Sequence, residues 1–251
     1  MFLFLFPNTV LNIFLLAALI PPLVLMVMVY RQDKIEKEPI SLIIRLVLFG
    51  FLSTVPAVIL EIVADVIISA VFGGSLMLYL LISNFIGVAA IEEGCKYFFL
   101  KTQTWNHPAF NYRFDGIVYA VSVSLGFAAL ENVEYVFMYG LGTAVSRALL
   151  AIPLHCICGI FMGHFYGEAK LGDARRIPEY RSRNLIFAFL LPMLIHGFYD
   201  FALSTDSGIF TLIFIIYVIV LDIIAIRSIR RFSAEDIALY QEQGFSSWRQ
   251  F

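Results

Sequence analysis

The sequence predicts an all-α fold, a polytopic transmembrane helix bundle of about seven spans, on three observations. Hydrophobic residues fill 61% of the 251 positions and charged residues only 14%, against about 25% charged in an average soluble domain; mean hydropathy is +0.87. Apolar runs of about 20 residues, the length that crosses a hydrocarbon core of ~30 Å, alternate with short charged stretches. The net charge is −2 with no long block of one sign, so a nucleic-acid partner has no support.

The first span is expected at 9–30, ahead of the first charged residue, Arg31. The basic n-region of a cleavable signal peptide is therefore missing, and the span is expected to remain in the mature protein. Further spans are expected at 40–62, 76–100, 115–139, 144–168, 185–204 and 209–229. Glu61 and Asp65 stand one turn apart in an apolar stretch ending in Gly73-Gly74, which reads as an interfacial helix at the outer surface. The longest polar loop is expected from Lys170 to Asn184. Residues 1–231 form a single bundle domain in this reading, and 232–251 a short cytoplasmic amphipathic tail. Within the tail, Ser233 and Asp236 have the spacing of a helix N-cap before Ile237, Leu239 and Tyr240.

Basic residues near span ends are retained in the cytoplasm. Fourteen of the 17 fall on one side of this arrangement, in the first, third and fifth loops and at the C-terminal end, while Arg147 stands alone on the other. The chain is expected N-out and C-in. Cys95, Cys156 and Cys158 lie within apolar runs and form no CxxC pair, so they read as packing residues.

Charged side chains at mid-membrane cost upward of ~2.5 kcal/mol, which makes each one a functional candidate. The third span carries Glu92, Glu93 and Lys96, the fourth Glu131 and Glu134, the fifth His155 and His164, the sixth His196 and Asp200, and the seventh Asp222. Glu92 and Lys96, at i and i+4, share a helix face, while Glu93 is turned ~100° from Glu92. Lys96 can neutralise either glutamate, and its stem can snorkel toward the cytoplasm. Asn132 adds a neutral donor and acceptor beside Glu131. In His196-Gly-Phe-Tyr-Asp200 the carboxylate can fix the imidazole's orientation and tautomer; a structural His–Asp bond between helices competes with that reading. His155, Gly159, Gly163 and Gly167 form an i+4 stripe that lets a neighbouring backbone approach closely. Glu134 reads as facing water and His164 as interfacial.

Amide hydrolysis in a membrane needs a water held at depth, a base to activate it, and donors where the oxyanion develops. Glutamate and histidine supply these roles. There is no HExxH helix, no GxSxG nucleophile, and no Gly-x-Gly-Asp to complete an aspartyl pair with Tyr199-Asp200, since Gly140-Leu-Gly142 leads to Thr143.

In chain order, Glu36-Lys37-Glu38-Pro39, Glu92-Glu93-x-x-Lys96, Asp115-Gly116-Ile117-Val118-Tyr119, Gly126-Phe127-x-x-x-Glu131-Asn132, His155 and His196-Gly197-x-x-Asp200 span most of the chain. This series resembles the PrsW-type membrane proteases, within the wider superfamily of CAAX prenyl-endopeptidase-like (ABI) proteins. The resemblance implies that Glu92 and Glu93 activate the water and that Glu131, His155 and His196 complete the catalytic site. If zinc is bound, the last three are its ligands; a metal-free glutamate mechanism is equally open. Lys96, Asn132 and Asp200 are supporting groups.

The resemblance further implies site-1 cleavage of a membrane-anchored anti-sigma factor in a bacterial cytoplasmic membrane, with the lipid bilayer as the other partner. CAAX processing ranks lower, because the CAAX enzymes resembled here usually show Glu-Glu-x-x-x-Arg and a histidine after Phe, where this sequence has Lys96 and Glu131. Two other classes stand beside the protease. One is a non-catalytic scaffold related to the seven-span subunit of the presenilin protease complex, against which the retained Glu92-Glu93 pair argues. The other is a proton-coupled transporter, for which no inverted repeat with broken helices is evident.

Overall fold

The computed structural model describes residues 8–240. Its helices are α1 (Asn8–Gln32), α2 (Ile40–Phe72), α3 (Leu76–Ile82), a π-helical segment (Ser83–Ala89) running into α4 (Ala90–Thr104), α5 (Asp115–Tyr139), α6 (Leu141–Leu149), α7 (Ala151–Ala174), α8 (Pro178–Ser204) and α9 (Gly208–Ala234). Counting α3 with α4 and α6 with α7 as one unit each, the described residues hold seven helical units long and apolar enough to cross a membrane. No strand occurs among the described residues. The fold class is therefore the expected one.

Helix α5 is the hub. In its most apolar stretch 78% of residues are buried, against 17% in α1, 11% in α2 and 17% in α9, whose Leu, Ile and Val side chains face outward. Small residues explain the difference. On α7, a Cβ added to Gly159 would lie 2.9 Å from Val121 Cα, and one on Gly163 would overlap Gly116 O and Ile117 Cα of α5. The two backbones are in direct contact along this stripe, as small-residue membrane interfaces allow. His155, one turn before Gly159, is carried into the same contact and is buried.

Several boundaries differ from expectation. The stretch from Glu61 to Gly74 is not a separate interfacial helix: α2 continues unbroken for 33 residues to Phe72. Its apolar residues keep helical hydrogen bonding attractive, and Glu61 turns inward instead of marking an interface. The expected loop from Lys170 to Asn184 is mostly helix, with α7 reaching Ala174 and α8 starting at Pro178, whose missing N–H suits the first helical turn. The expected span 144–168 is interrupted at Leu150 (φ −123°, ψ −67°), just before Pro153, which cannot donate to a continuous helix.

The small helix expected from Ser233 does not form within the described residues. Ser233 lies in α9, and beyond it Tyr112 and Ala238 form an isolated antiparallel bridge, with Arg113 N bonded to Ile237 O and Leu239 N to Asn111 O. The rest of the 232–251 tail lies outside the described residues.

Candidate active site

Six helices bring polar residues to one place, along a cavity of about 530 Å³ at the end of the bundle that holds the α5–α6 turn. Its walls include Glu61 of α2, Glu92 of α4, Glu131 of α5, Arg147 of α6, His155 of α7 and His196 of α8.

Lys96 sits at the centre. Its ammonium donates to Glu92 Oε2 at 2.9 Å, to Glu93 Oε1 at 2.8 Å and to His155 Nδ1 at 3.0 Å, and it lies 4.0 Å from the Phe127 ring centroid. The i+3 and i+4 spacings let one side chain hold both glutamates. Lys96 is fully buried and so does not snorkel. Because its ammonium is the donor at Nδ1, the His155 proton is on Nε2, which donates to Glu131 Oε2 at 2.9 Å.

His196 lies between two carboxylates. Its Nδ1 is 2.9 Å from Glu93 Oε1 and its Nε2 is 3.2 Å from Asp200 Oδ2, one turn along α8. The two imidazoles meet edge to face, with centroids 5.2 Å apart. Gly197 lets α8 pack closely on the π-helical segment: a Cβ there would lie 2.6 Å from Phe85 Cδ1. That segment, whose wider turns often occur at functional sites, leads directly into the turn bearing Glu92 and Glu93.

Outside this core, Glu131 pairs with Arg147 Nη2 at 2.9 Å, and Arg147 Nε donates to Asn132 Oδ1 at 3.0 Å. Asn132 Nδ2 in turn donates to Ala18 O of α1 at 2.7 Å. Asn132 thus braces the site through Arg147. Glu134 is exposed on the cavity wall, while Asp222 lies on α9 beside a separate apolar groove and His164 stacks on Phe232 at 3.8 Å. Sequence reasoning passed over Arg147 and Glu61. The available signals were that Arg147 is the lone basic residue on its side, and that Glu61 is an acid in an otherwise apolar helix.

Around this cavity, Glu92, Glu93, His155 and His196 have potential ligand atoms that all lie within 4.8 Å of one another. Glu131, expected from the resemblance among the metal ligands, has its Oε2 2.9 Å from His155 Nε2.

The model of the PrsW family intramembrane metalloproteases matches residues 38–226. The chain belongs to this family. Among curated PrsW-family relatives, Protease PrsW of Oceanobacillus iheyensis is 38% identical over 215 residues, covering 86% of this chain and 94% of that protein. Those of Geobacillus kaustophilus and Bacillus subtilis are 35% and 33% identical, over 74% and 76% of this chain and 78% and 83% of theirs. No solved structure matches the chain. This PrsW-family protein is a multi-pass intramembrane protease acting on membrane-bound substrates, and the scaffold and transporter readings give way to that membership.

The description of the PrsW family as metalloproteases implies a metal, and the residues fit one. Two imidazoles and two carboxylates are a zinc donor set, and Glu93 Oε2 is buried with no hydrogen-bond partner. Lys96 holds three of the four groups, so an ion and the ammonium would compete for the same lone pairs.

Proposed function

We propose that this protein hydrolyses a peptide bond of a membrane-anchored protein, with Glu92 and Glu93 activating the water and His155, His196 and Glu131 completing the site. The observation that carries the proposal is the convergence of Glu92, Glu93, His155 and His196 within 4.8 Å, beside a cavity that Glu92, His155 and His196 line, inside an apolar bundle.

The two glutamates divide the work. The Glu92 side chain is 8% exposed and lines the cavity, whereas that of Glu93 is 0% exposed. Glu92 is thus the carboxylate that reaches a water and takes its proton, while Glu93 holds His196 and Lys96. Lys96 keeps a positive charge beside both carboxylates, which limits repulsion as the tetrahedral oxyanion develops. Glu131 orients His155 through Nε2, and Asp200 orients His196. Phe127 and the apolar helix faces keep bulk water from the cluster. Where zinc is the metal, Glu93, His155 and His196 would hold it, three ligands that leave Glu92 free as the base, and the ion would supply Lewis-acid polarisation of the scissile carbonyl and a more acidic water.

Membership in the CAAX-like superfamily is part of this reading and is supported by the order of the sequence motifs. So is the N-out, C-in orientation, supported by fourteen basic residues on one side. With that orientation the cavity opens toward the outer half of the membrane. Site-1 cleavage of an anti-sigma factor in a bacterial cytoplasmic membrane follows as the proposed role, supported by PrsW relatives from bacteria.

The test is cleavage of a panel of single-span substrates, anti-sigma factors included, by purified protein in lipid. Wild type is compared with Glu92→Gln, Glu93→Gln, His155→Ala and His196→Ala, with and without a chelator. The expected result is cutting by wild type and loss in each folded variant, with reversible loss in chelator if zinc is bound. Equal cutting by the variants overturns the site.

A further inference from the structure

A second cluster of carboxylates lies at the opposite end of the bundle from the cavity, where α1 turns into α2 and α5 begins. Asp33 follows α1, Glu38 precedes α2 and Asp115 opens α5; they are 2%, 3% and 0% exposed, and their potential ligand oxygens all lie within 4.8 Å of one another. Part of this acidity is already satisfied. Asp115 Oδ2 accepts from Asn111 N at 2.9 Å and from Tyr112 N at 2.7 Å, and Glu38 Oε2 accepts from the Tyr119 hydroxyl. Two oxygens are not: Asp33 Oδ2 and Asp115 Oδ1 are buried with no hydrogen-bond partner.

The nearby cations are committed elsewhere. The Lys37 ammonium donates to the backbone carbonyls of Tyr30 and Asp33, not to a carboxylate. Arg113 pairs with Glu168 at 2.8 Å and donates to Glu235 O. Asp236, whose carboxylate accepts from Phe114 N at 2.8 Å, adds negative charge close by. Burial raises the Asp33 carboxyl to about 6 and that of Glu38 to about 7, as expected for acids desolvated without enough opposing charge. Glu38 and Asp115 approach within hydrogen-bonding range, so one shared proton could join that pair, yet Asp33 Oδ2 would remain unpaired.

We propose that Asp33, Glu38 and Asp115 form a binding site for a hard divalent cation, magnesium or calcium, distinct from the intramembrane Glu/His cluster. The donors are all oxygen with no imidazole or thiolate among them, the ligand chemistry that suits these hard ions best. A cation here ties the α1–α2 loop to the first turn of α5, the helix that carries Glu131 at its other end. The C-terminal segment closes over the same region, with the Ser233 hydroxyl on Gln32 O and Asp236 on Phe114 N. The role is structural: the ion fixes the register of α5 against α1 and α2.

The test uses full-length protein in lipid nanodiscs, stripped with chelator and desalted. Thermal unfolding is followed against added MgCl2 or CaCl2, with NaCl at matched ionic strength, and bound Mn2+ is counted by electron paramagnetic resonance. Wild type is expected to gain several degrees in Tm with one of the two ions and to bind Mn2+ at this site. Asp33→Asn and Glu38→Gln, each close in volume to the original, are expected to lose both responses. The Glu92→Gln/Glu93→Gln double variant is expected to keep them. The proposal is overturned if neither ion shifts wild type, if Asp33→Asn and Glu38→Gln respond like wild type, or if binding disappears only in the Glu92→Gln/Glu93→Gln protein. Stripped Asp33→Asn and Glu38→Gln proteins that are more stable than wild type, with no ion bound by wild type, would identify a protonated cluster and also overturn it.

Discussion

Glu93 and His196, from α4 and α8, meet at 2.9 Å between Oε1 and Nδ1, and the far nitrogen of the same ring lies 3.2 Å from Asp200. One imidazole therefore joins a carboxylate sealed in the bundle to one on the cavity wall. Asp200 acts through His196 and is a positioning residue. Asp200→Asn is expected to lower kcat about 10–100-fold, the usual range for partners behind an active-site group, with KM little changed. Asp200→Glu should recover part of the loss. Steady-state cleavage of a single-span substrate reads both values, and a KM effect with unchanged kcat would place Asp200 in substrate binding instead.

The unequal exposure of Glu92 and Glu93 predicts two kinds of damage. Each Glu→Gln variant is expected to lose at least 10²-fold in kcat, the scale of general-base catalysis. Only Glu93→Gln is expected to lower stability strongly as well, by about 3–5 kcal/mol, because it breaks a fully buried pair with Lys96. Thermal unfolding in lipid, run beside the cleavage assay, separates the two. Equal stability losses would remove the division of labour.

Much of this arrangement is legible in the sequence, for a physical reason. A bilayer tolerates so few charges that Glu92, Glu93, Lys96, His155 and His196 stand out of their apolar runs, and seven such runs fix the fold class. The glycine stripe of α7 is equally plain, since i+4 spacing has one structural meaning in a membrane helix. What the sequence does not carry is contact between distant helices. That one ammonium serves Glu92, Glu93 and His155 together depends on how α4 packs on α7, and Arg147 reads as a loop charge until α6 folds back toward Glu131. Local pattern also misled at Glu61 and Asp65, where two acids suggested an interface and the helix continued. After Ser233, an N-cap spacing lost to backbone pairing with residues 111–113.

The α5–α7 contact predicts a sharp difference between two glycines. Any side chain at Gly163 collides with the Gly116 carbonyl and Ile117 Cα, which are backbone and cannot rotate away, whereas a Cβ on Gly142 meets nothing within 4 Å. Gly163→Leu is expected to destabilise the protein by about 3 kcal/mol or more. Gly142→Leu, on the exposed face of α6, should stay within about 0.5 kcal/mol of wild type. Yield of folded protein and Tm in the same lipid report the contrast. A tolerated Gly163→Leu would mean that the two backbones do not touch as described.

Arg147 gives the most discriminating test of how the outer part of the site is built. Its guanidinium reaches Glu131 at 2.9 Å through Nη2 and Asn132 at 3.0 Å through Nε, and Glu131 reaches His155 at 2.9 Å. A lysine can replace the charge but not the fork that serves two partners at once. Arg147→Lys is therefore expected to lower kcat about tenfold, and Arg147→Ala about 100-fold, because Glu131 loses the anchor that aims it at His155. If the effect runs through Glu131, combining Arg147→Ala with Glu131→Gln should cost little more than either change alone, a coupling of about 1 kcal/mol or more in a double-mutant cycle. Additive losses, or a rise in KM with kcat intact, would instead make Arg147 a direct contact for substrate entering the cavity.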